Sequence, residues 1–172
     1  MNEADSTAGH ANSVVNPPVA KSPTIGGWLV VVGIGLALGL LENLSNLGYA
    51  ISTTRRVWTR LTNPGSSAYH PYWKTVLVYD VISAGLLVIL NVIAVILFRG
   101  KRRPFPKFMA LGIPAVFLLS FGGYFLESFI PAAVATTAHA KESHDMIIRF
   151  VAMHVWVPYF LLSKRVKQTF VL

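Results

Sequence analysis

The sequence predicts an all-α polytopic membrane protein, a four-helix transmembrane bundle in up-down order. Three observations predict it. Hydrophobic residues make up 53% of the 172-residue chain and charged residues only 13%, about half the charged fraction of a typical soluble domain. Four apolar stretches approach or reach the length of about 20 residues that a spanning helix needs. The links between them are short enough that consecutive helices run antiparallel as neighbours. So little charge cannot cover the surface of a water-soluble globule, and so much hydrophobicity excludes a disordered chain. With no cysteine, disulfides, thiolate metal sites and cysteine nucleophiles are excluded as well.

Residues 1–24 read as a disordered cytoplasmic tail, polar and broken by Pro17, Pro18 and Pro23. The tail begins with Glu3 and Asp5 and has no short apolar run before a small-residue cleavage site. It is therefore not a signal peptide, and the first span stays in place. The membrane domain takes up 25–170. Its first span covers 25–47: Ile25–Leu41 is uncharged, and the helical pattern passes Glu42 to Leu47. The second, 76–98, extends the apolar run Val81–Phe98 back through Asp80. The third, 108–130, extends Phe108–Leu126 through Glu127 and is bent by Pro114. The fourth, 147–163, is the shortest and takes in Arg149.

Orientation follows from lysine and arginine. The chain carries fifteen Lys+Arg against seven Asp+Glu, a formal charge of +8. Arg99, Lys101, Arg102, Arg103 and Lys107 crowd the link between spans two and three, Lys164, Arg165 and Lys167 follow span four, and Lys21 precedes span one. Arg55, Arg56, Arg60, Lys74 and Lys141 occupy the other two links. The bias puts both termini in the cytoplasm. This use of the basic excess leaves no reason to invoke nucleic acid. The Arg99–Lys107 stretch also suits anionic lipid headgroups, at about 1 kcal/mol per basic residue near the surface. Tyr49, Trp58, Tyr69, Tyr72, Trp73 and Tyr79 suit an aromatic interfacial belt.

The ionisable residues inside the spans are the candidate site. At the helical rise, Glu42, Asp80 and Glu127 stand roughly 25–28 Å from the cytoplasmic ends of their spans, Arg149 roughly 21 Å and His154 roughly 13 Å. Three carboxylates from three helices thus share one level near the outer face, with a guanidinium just beneath. Residues three or four apart share a helix face. The stripes are Gly35, Gly39, Glu42 and Asn46 on the first span; Asp80, Ala84, Leu87 and Asn91 on the second; Ser120, Gly123 and Glu127 on the third. Gly35, Gly39 and Gly123 are expected to let helices approach closely, with Gly35 and Gly39 forming a GxxxG pair. The acids should point into a polar vestibule with Arg149 as their partner, since intramembrane charges face the bundle interior and pair. Such a cluster is a structural network of ion pairs and hydrogen bonds, a binding or proton-coupling site, or simply a set of surface-exposed groups.

Pro158 deprives the His154 carbonyl of its helical donor, leaving that carbonyl beside an imidazole at mid-depth, either as a ligand point or as a packed histidine in a kinked helix. His139 and His144 lie five residues apart, which puts their rings on different helix faces. Lys141 between them repels a cation, so no metal ligand and no cofactor is assigned. No Gly-rich phosphate loop, HExxH or GxSxG motif is present, and the chain is expected not to be an enzyme.

Two motifs carry a family resemblance. Gly26-Gly27-Trp28-Leu29 opens the first span, and Trp156-Val157-Pro158-Tyr159-Phe160 runs into Ser163-Lys164-Arg165-Val166-Lys167-Gln168-Thr169-Phe170. With four spans between short tails, the layout from Gly26 to Phe170 resembles the YdgK-like family of small bacterial inner-membrane proteins, a domain of unknown function. The resemblance implies a bacterial inner membrane and carries over no activity and no catalytic residue. The expected function is that of a non-catalytic accessory or scaffold component that packs against a protein partner or its own copy. The alternative is a small cation- or proton-linked carrier or sensor that uses the outer polar cluster.

Overall fold

In lipid, backbone N–H and C=O groups find no partner outside the chain, so each apolar run closes its own helical bonds. The computed structural model describes residues 27–170, and the tail expected at 1–24 lies outside the described residues. The helices are α1 (Trp28–Thr62), α2 (Trp73–Arg99), α3 (Phe105–Glu127), α4 (Pro131–Val134), α5 (Thr137–Leu162) and α6 (Lys164–Thr169), with no strand among the described residues. Four of them, α1, α2, α3 and α5, are long and apolar enough to cross a membrane. Many of their leucines point outward: Leu38, Leu111 and Leu162 are 61%, 76% and 73% exposed. Apolar surface on that scale is suited to lipid and not to water. The chain is a multi-pass membrane protein.

The helix ends differ from those read off hydropathy. α1 does not stop near Leu47 but continues to Thr62, 35 residues in all, or about 52 Å. A hydrocarbon core is about 30 Å thick. Between Gly48 and Leu61 no proline interrupts the helix, and it ends only at Asn63-Pro64-Gly65, where the Asn63 side chain accepts the Gly65 N–H at 3.0 Å. Hydropathy marks where lipid ends; backbone chemistry marks where the helix ends. α5 likewise starts at Thr137 and not near Ile147. The Thr136 hydroxyl accepts the His139 N–H at 3.2 Å, a side-chain cap of the kind that starts helices. The stretch read as the link before the fourth span is therefore helical and carries His139, Lys141, Glu142 and Asp145 on the body of the bundle.

The basic link is tighter than Arg99–Lys107. Arg99 is the last residue of α2, and Lys107 already lies in α3. Gly100 and Arg102 return their N–H groups to Ile96 and Leu97 at 3.0 Å, and Lys101 adopts a left-handed φ of 48°. α1 packs on α2, α2 on α3, and α3 on α5. α1 and α5 are not a closely packed pair, and the space between them matters below.

One end of the bundle, where α2 turns into α3, is closed by aromatic packing. Phe105, fully buried, stacks on Phe170 at 4.5 Å and meets Phe98 and Phe160 edge-on at 5.3 and 5.8 Å. Leu29 and Val166 complete the cluster. α6, capped by the Ser163 hydroxyl, folds beneath to deliver Val166 and Phe170. The two motifs behind the family resemblance thus meet. Gly27 has φ 59°, and a Cβ there would lie 3.0 Å from the Arg165 guanidinium.

Of the glycines expected to let helices approach, Gly39 and Gly123 do so and Gly35 does not. Gly35 has open space where a Cβ would be, so it does not pack a helix. Gly39 does, since its Cβ would come 3.0 Å from the Asn91 amide. Gly123 passes Tyr79 at 3.5 Å and Asp80 at 3.8 Å. The tightest is Gly122, where a Cβ would collide with the Tyr79 hydroxyl. That hydroxyl crosses from α2 to donate to the Leu119 carbonyl at 2.7 Å.

Candidate functional site: a polar cavity at the α1–α5 gap

At the end opposite the aromatic cluster the four long helices surround a cavity of about 520 Å³. α1, α2 and α3 contribute residues of the stripes that helical phase selected, and α5 adds a fourth wall. Asn46 comes from α1, Asp80 and Ser83 from α2, Ser120 and Gly123 from α3, and Glu142, Asp145 and Arg149 from α5. The wall holds three carboxylates, Asp80, Glu142 and Asp145, against two cations, Lys141 and Arg149. Asp80 and Glu142 are half-buried, whereas Arg149 and Lys141 are more exposed. The surplus charge is negative, which favours a cationic or zwitterionic guest.

Two further cavities continue towards the aromatic end. One of about 90 Å³ shares Leu87 with the polar cavity and places Asn43 and Asn91 among apolar residues. The next, about 320 Å³, is apolar, lined by Val31, Val32 and Gly35 of α1 across from Trp156 and Phe160 of α5. The open space at Gly35 belongs to this groove. Polar at one end and apolar at the other, the series passes between α1, α2 and α3 in its middle and opens at both ends where α1 and α5 fail to pack.

The candidate residues divide. Asp80 and Arg149 line the polar cavity together. Glu127 does not pair with Arg149; it faces the buried His139, its Oε2 3.6 Å from Nδ1. Arg149 instead donates to the Ser120 hydroxyl at 3.2 Å. Glu42 is exposed on α1 and outside the cavity lining, where Asn46, one turn further on, takes its place. Four residues advance a helix by about 400°, so the two side chains diverge by about 40°, enough to separate lining from lipid-facing surface. His154 is also exposed and away from the cavity. Its Nδ1 lies 2.9 Å from the Phe150 carbonyl and its ring 4.4 Å from that of Phe150. Its imidazole is thus engaged within its own helix.

Lys141, Glu142 and Asp145 were missed as site residues because their stretch is too polar to be part of a span. The available signal was Thr136 as a helix cap, followed by the helix-forming run Ala138 to Glu142. Because Arg149 bonds Ser120, Arg149→Ala and Ser120→Ala are expected to be non-additive by about 0.5–1 kcal/mol in a double-mutant cycle of unfolding. Additive effects would show that α3 and α5 are not joined there.

Residues 22–171 match the family described as Protein of unknown function (DUF2569), and the chain belongs to that family. No curated protein and no solved structure matches it.

Proposed function

We propose that this protein binds a small cationic or zwitterionic solute in the polar cavity, as a carrier or sensor and without catalysing a reaction. The observation that carries this reading is the about 520 Å³ cavity walled by Asp80, Glu142 and Asp145 from two helices. Ionisable groups within membrane helices are costly and face interior sites where they act on ions or substrates. The chain of smaller cavities leading away from it supports a path for a guest rather than a closed ion-pair network. The narrower likeness to YdgK-like proteins and the basic bias support a bacterial inner membrane, both termini in the cytoplasm and the cavity open to the outside. On that orientation Arg99, Lys101, Arg102, Arg103 and Lys107 face the anionic cytoplasmic leaflet.

An accessory role, alone or as a homo-oligomer, draws on a different observation. α1 runs about 20 Å longer than a hydrocarbon core requires and carries Arg55, Arg56 and Arg60 on its far segment, an arm suited to a protein partner.

Thermal stability of the detergent-purified full chain against a panel of organic cations and zwitterions separates the readings. Binding predicts that at least one solute raises the melting temperature of the native protein and fails to do so for Asp80→Asn, while Glu42→Gln responds like the native protein. A panel without effect, together with a stoichiometric protein partner that Arg55, Arg56 and Arg60 are needed to hold, would favour the accessory role.

A further inference from the structure

We infer that Glu127, His139 and Glu142 form a binding site for a divalent first-row transition-metal ion, joining α3 to α5 at the edge of the polar cavity. One imidazole nitrogen and one carboxylate oxygen from each acid lie within 4.8 Å of one another. The His139 side chain is only 9% exposed, and its Nδ1 has no hydrogen-bond partner. Buried ring nitrogens are almost always satisfied, and an orphan is where an ion or water belongs. The 3.6 Å from Nδ1 to the Glu127 carboxylate is long for a hydrogen bond. It is close to the edge of a tetrahedron about a metal, about 3.4 Å for bonds of 2.0–2.2 Å. Glu142 needs only a side-chain adjustment to close the third edge.

The histidine is held for this role. Its ring stacks on Tyr124 at 4.4 Å and 9°, which fixes its plane. Its backbone N–H is tied to the Thr136 hydroxyl, which fixes its place in the first turn of α5. Glu142 follows three residues later on the same helix face. Glu127 closes the last turn of α3. Locked donors of this kind are what a metal site requires.

The donor set selects the ion. Two carboxylates and a neutral imidazole balance a 2+ charge, which lowers the cost of holding it away from water. Imidazole favours zinc, iron and nickel over calcium or magnesium, which prefer all-oxygen shells, the two carboxylates also suit manganese, and with no thiolate nearby Cu(I) is disfavoured. Three protein ligands leave a position for water. The pairing of His139 with His144 weighed from the sequence is replaced, since His144 lies exposed beside Asp145 at 3.9 Å.

This site does not depend on what the polar cavity binds, although Glu142 lies at both. The test uses the full chain, purified without a polyhistidine tag and stripped with chelator, then titrated with Zn²⁺, Mn²⁺ and, as a spectroscopic probe, Co²⁺. Zn²⁺ should bind one per chain and raise the melting temperature, and Co²⁺ should give the visible bands of a low-coordinate site. Glu127→Gln and His139→Gln should each weaken Zn²⁺ more than about tenfold, while His144→Gln leaves it unchanged and Asp80→Asn, which removes a neighbouring charge and not a ligand, weakens it by much less than about tenfold. Asp80→Asn thereby separates the two proposals, because it abolishes solute binding in the cavity and leaves all three metal ligands in place. Zn²⁺ binding that survives both Glu127→Gln and His139→Gln, or no binding by the folded native chain, overturns the inference.

Discussion

Gly122→Ala is expected to destabilise the protein by about 1–3 kcal/mol, the usual range for forcing atoms into a packed contact. The added methyl would occupy the position of the Tyr79 hydroxyl. Tyr79 must then swing away and give up its 2.7 Å bond to the Leu119 carbonyl, the polar tie between α2 and α3. Interhelical hydrogen bonds in membranes average about 0.6 kcal/mol, so overpacking supplies most of the loss. Gly35→Ala is the control. It removes the better-known motif glycine yet meets nothing within 4 Å, and alanine is the better helix former by about 1 kcal/mol, an advantage a spanning helix shows only in part. Reversible unfolding in mixed micelles should show a clear loss for Gly122→Ala and none for Gly35→Ala. The opposite order would mean that α1 and not α3 makes the critical approach.

Phe105→Ala should cost about 2–3 kcal/mol. Removing a large buried ring in water costs about 3–5 kcal/mol through lost transfer energy and the cavity left behind. Here the transfer part shrinks, because lipid is itself apolar, while the packing part remains. Phe105 is the hub of its cluster, in ring contact with Phe98, Phe160 and Phe170. Its loss should also loosen α6, so proteolysis of the chain after Ser163 should accelerate. Leu111→Ala, on a residue 76% exposed, should be close to neutral in both measurements. Equal effects of the two substitutions would show that the aromatic end is not a packed core.

These expectations bear on why the two resemblance motifs belong together. The opening glycine and the C-terminal basic-aromatic run are at opposite ends of the chain, yet Gly27 lies against Arg165, and Leu29 shares a cluster with Val166 and Phe170. The motifs secure the end of the bundle that the cavity does not use. Substitutions within them should change stability and leave the cavity's chemistry intact.

The membrane class, the four long helices and much of the cavity face are legible in the amino-acid order alone. Each is a local property. Apolar run length sets whether a segment can cross lipid, and residues three or four apart share a face whatever surrounds them. That is why Asp80, Leu87, Ser120, Gly123 and Asn46 were placed on common stripes and line one cavity. Which polar groups meet depends on how the helices pack. Each residue turns a helix by about 100°, so a slight axial rotation exchanged Asn46 for Glu42 and gave Glu127 to His139 instead of Arg149. The ten residues before Ile147 became helix because a threonine cap, not hydropathy, sets where α5 begins. The separation of α1 from α5, which makes both the polar cavity and its apolar continuation, depends on the fit of whole helix surfaces, and no single segment encodes it.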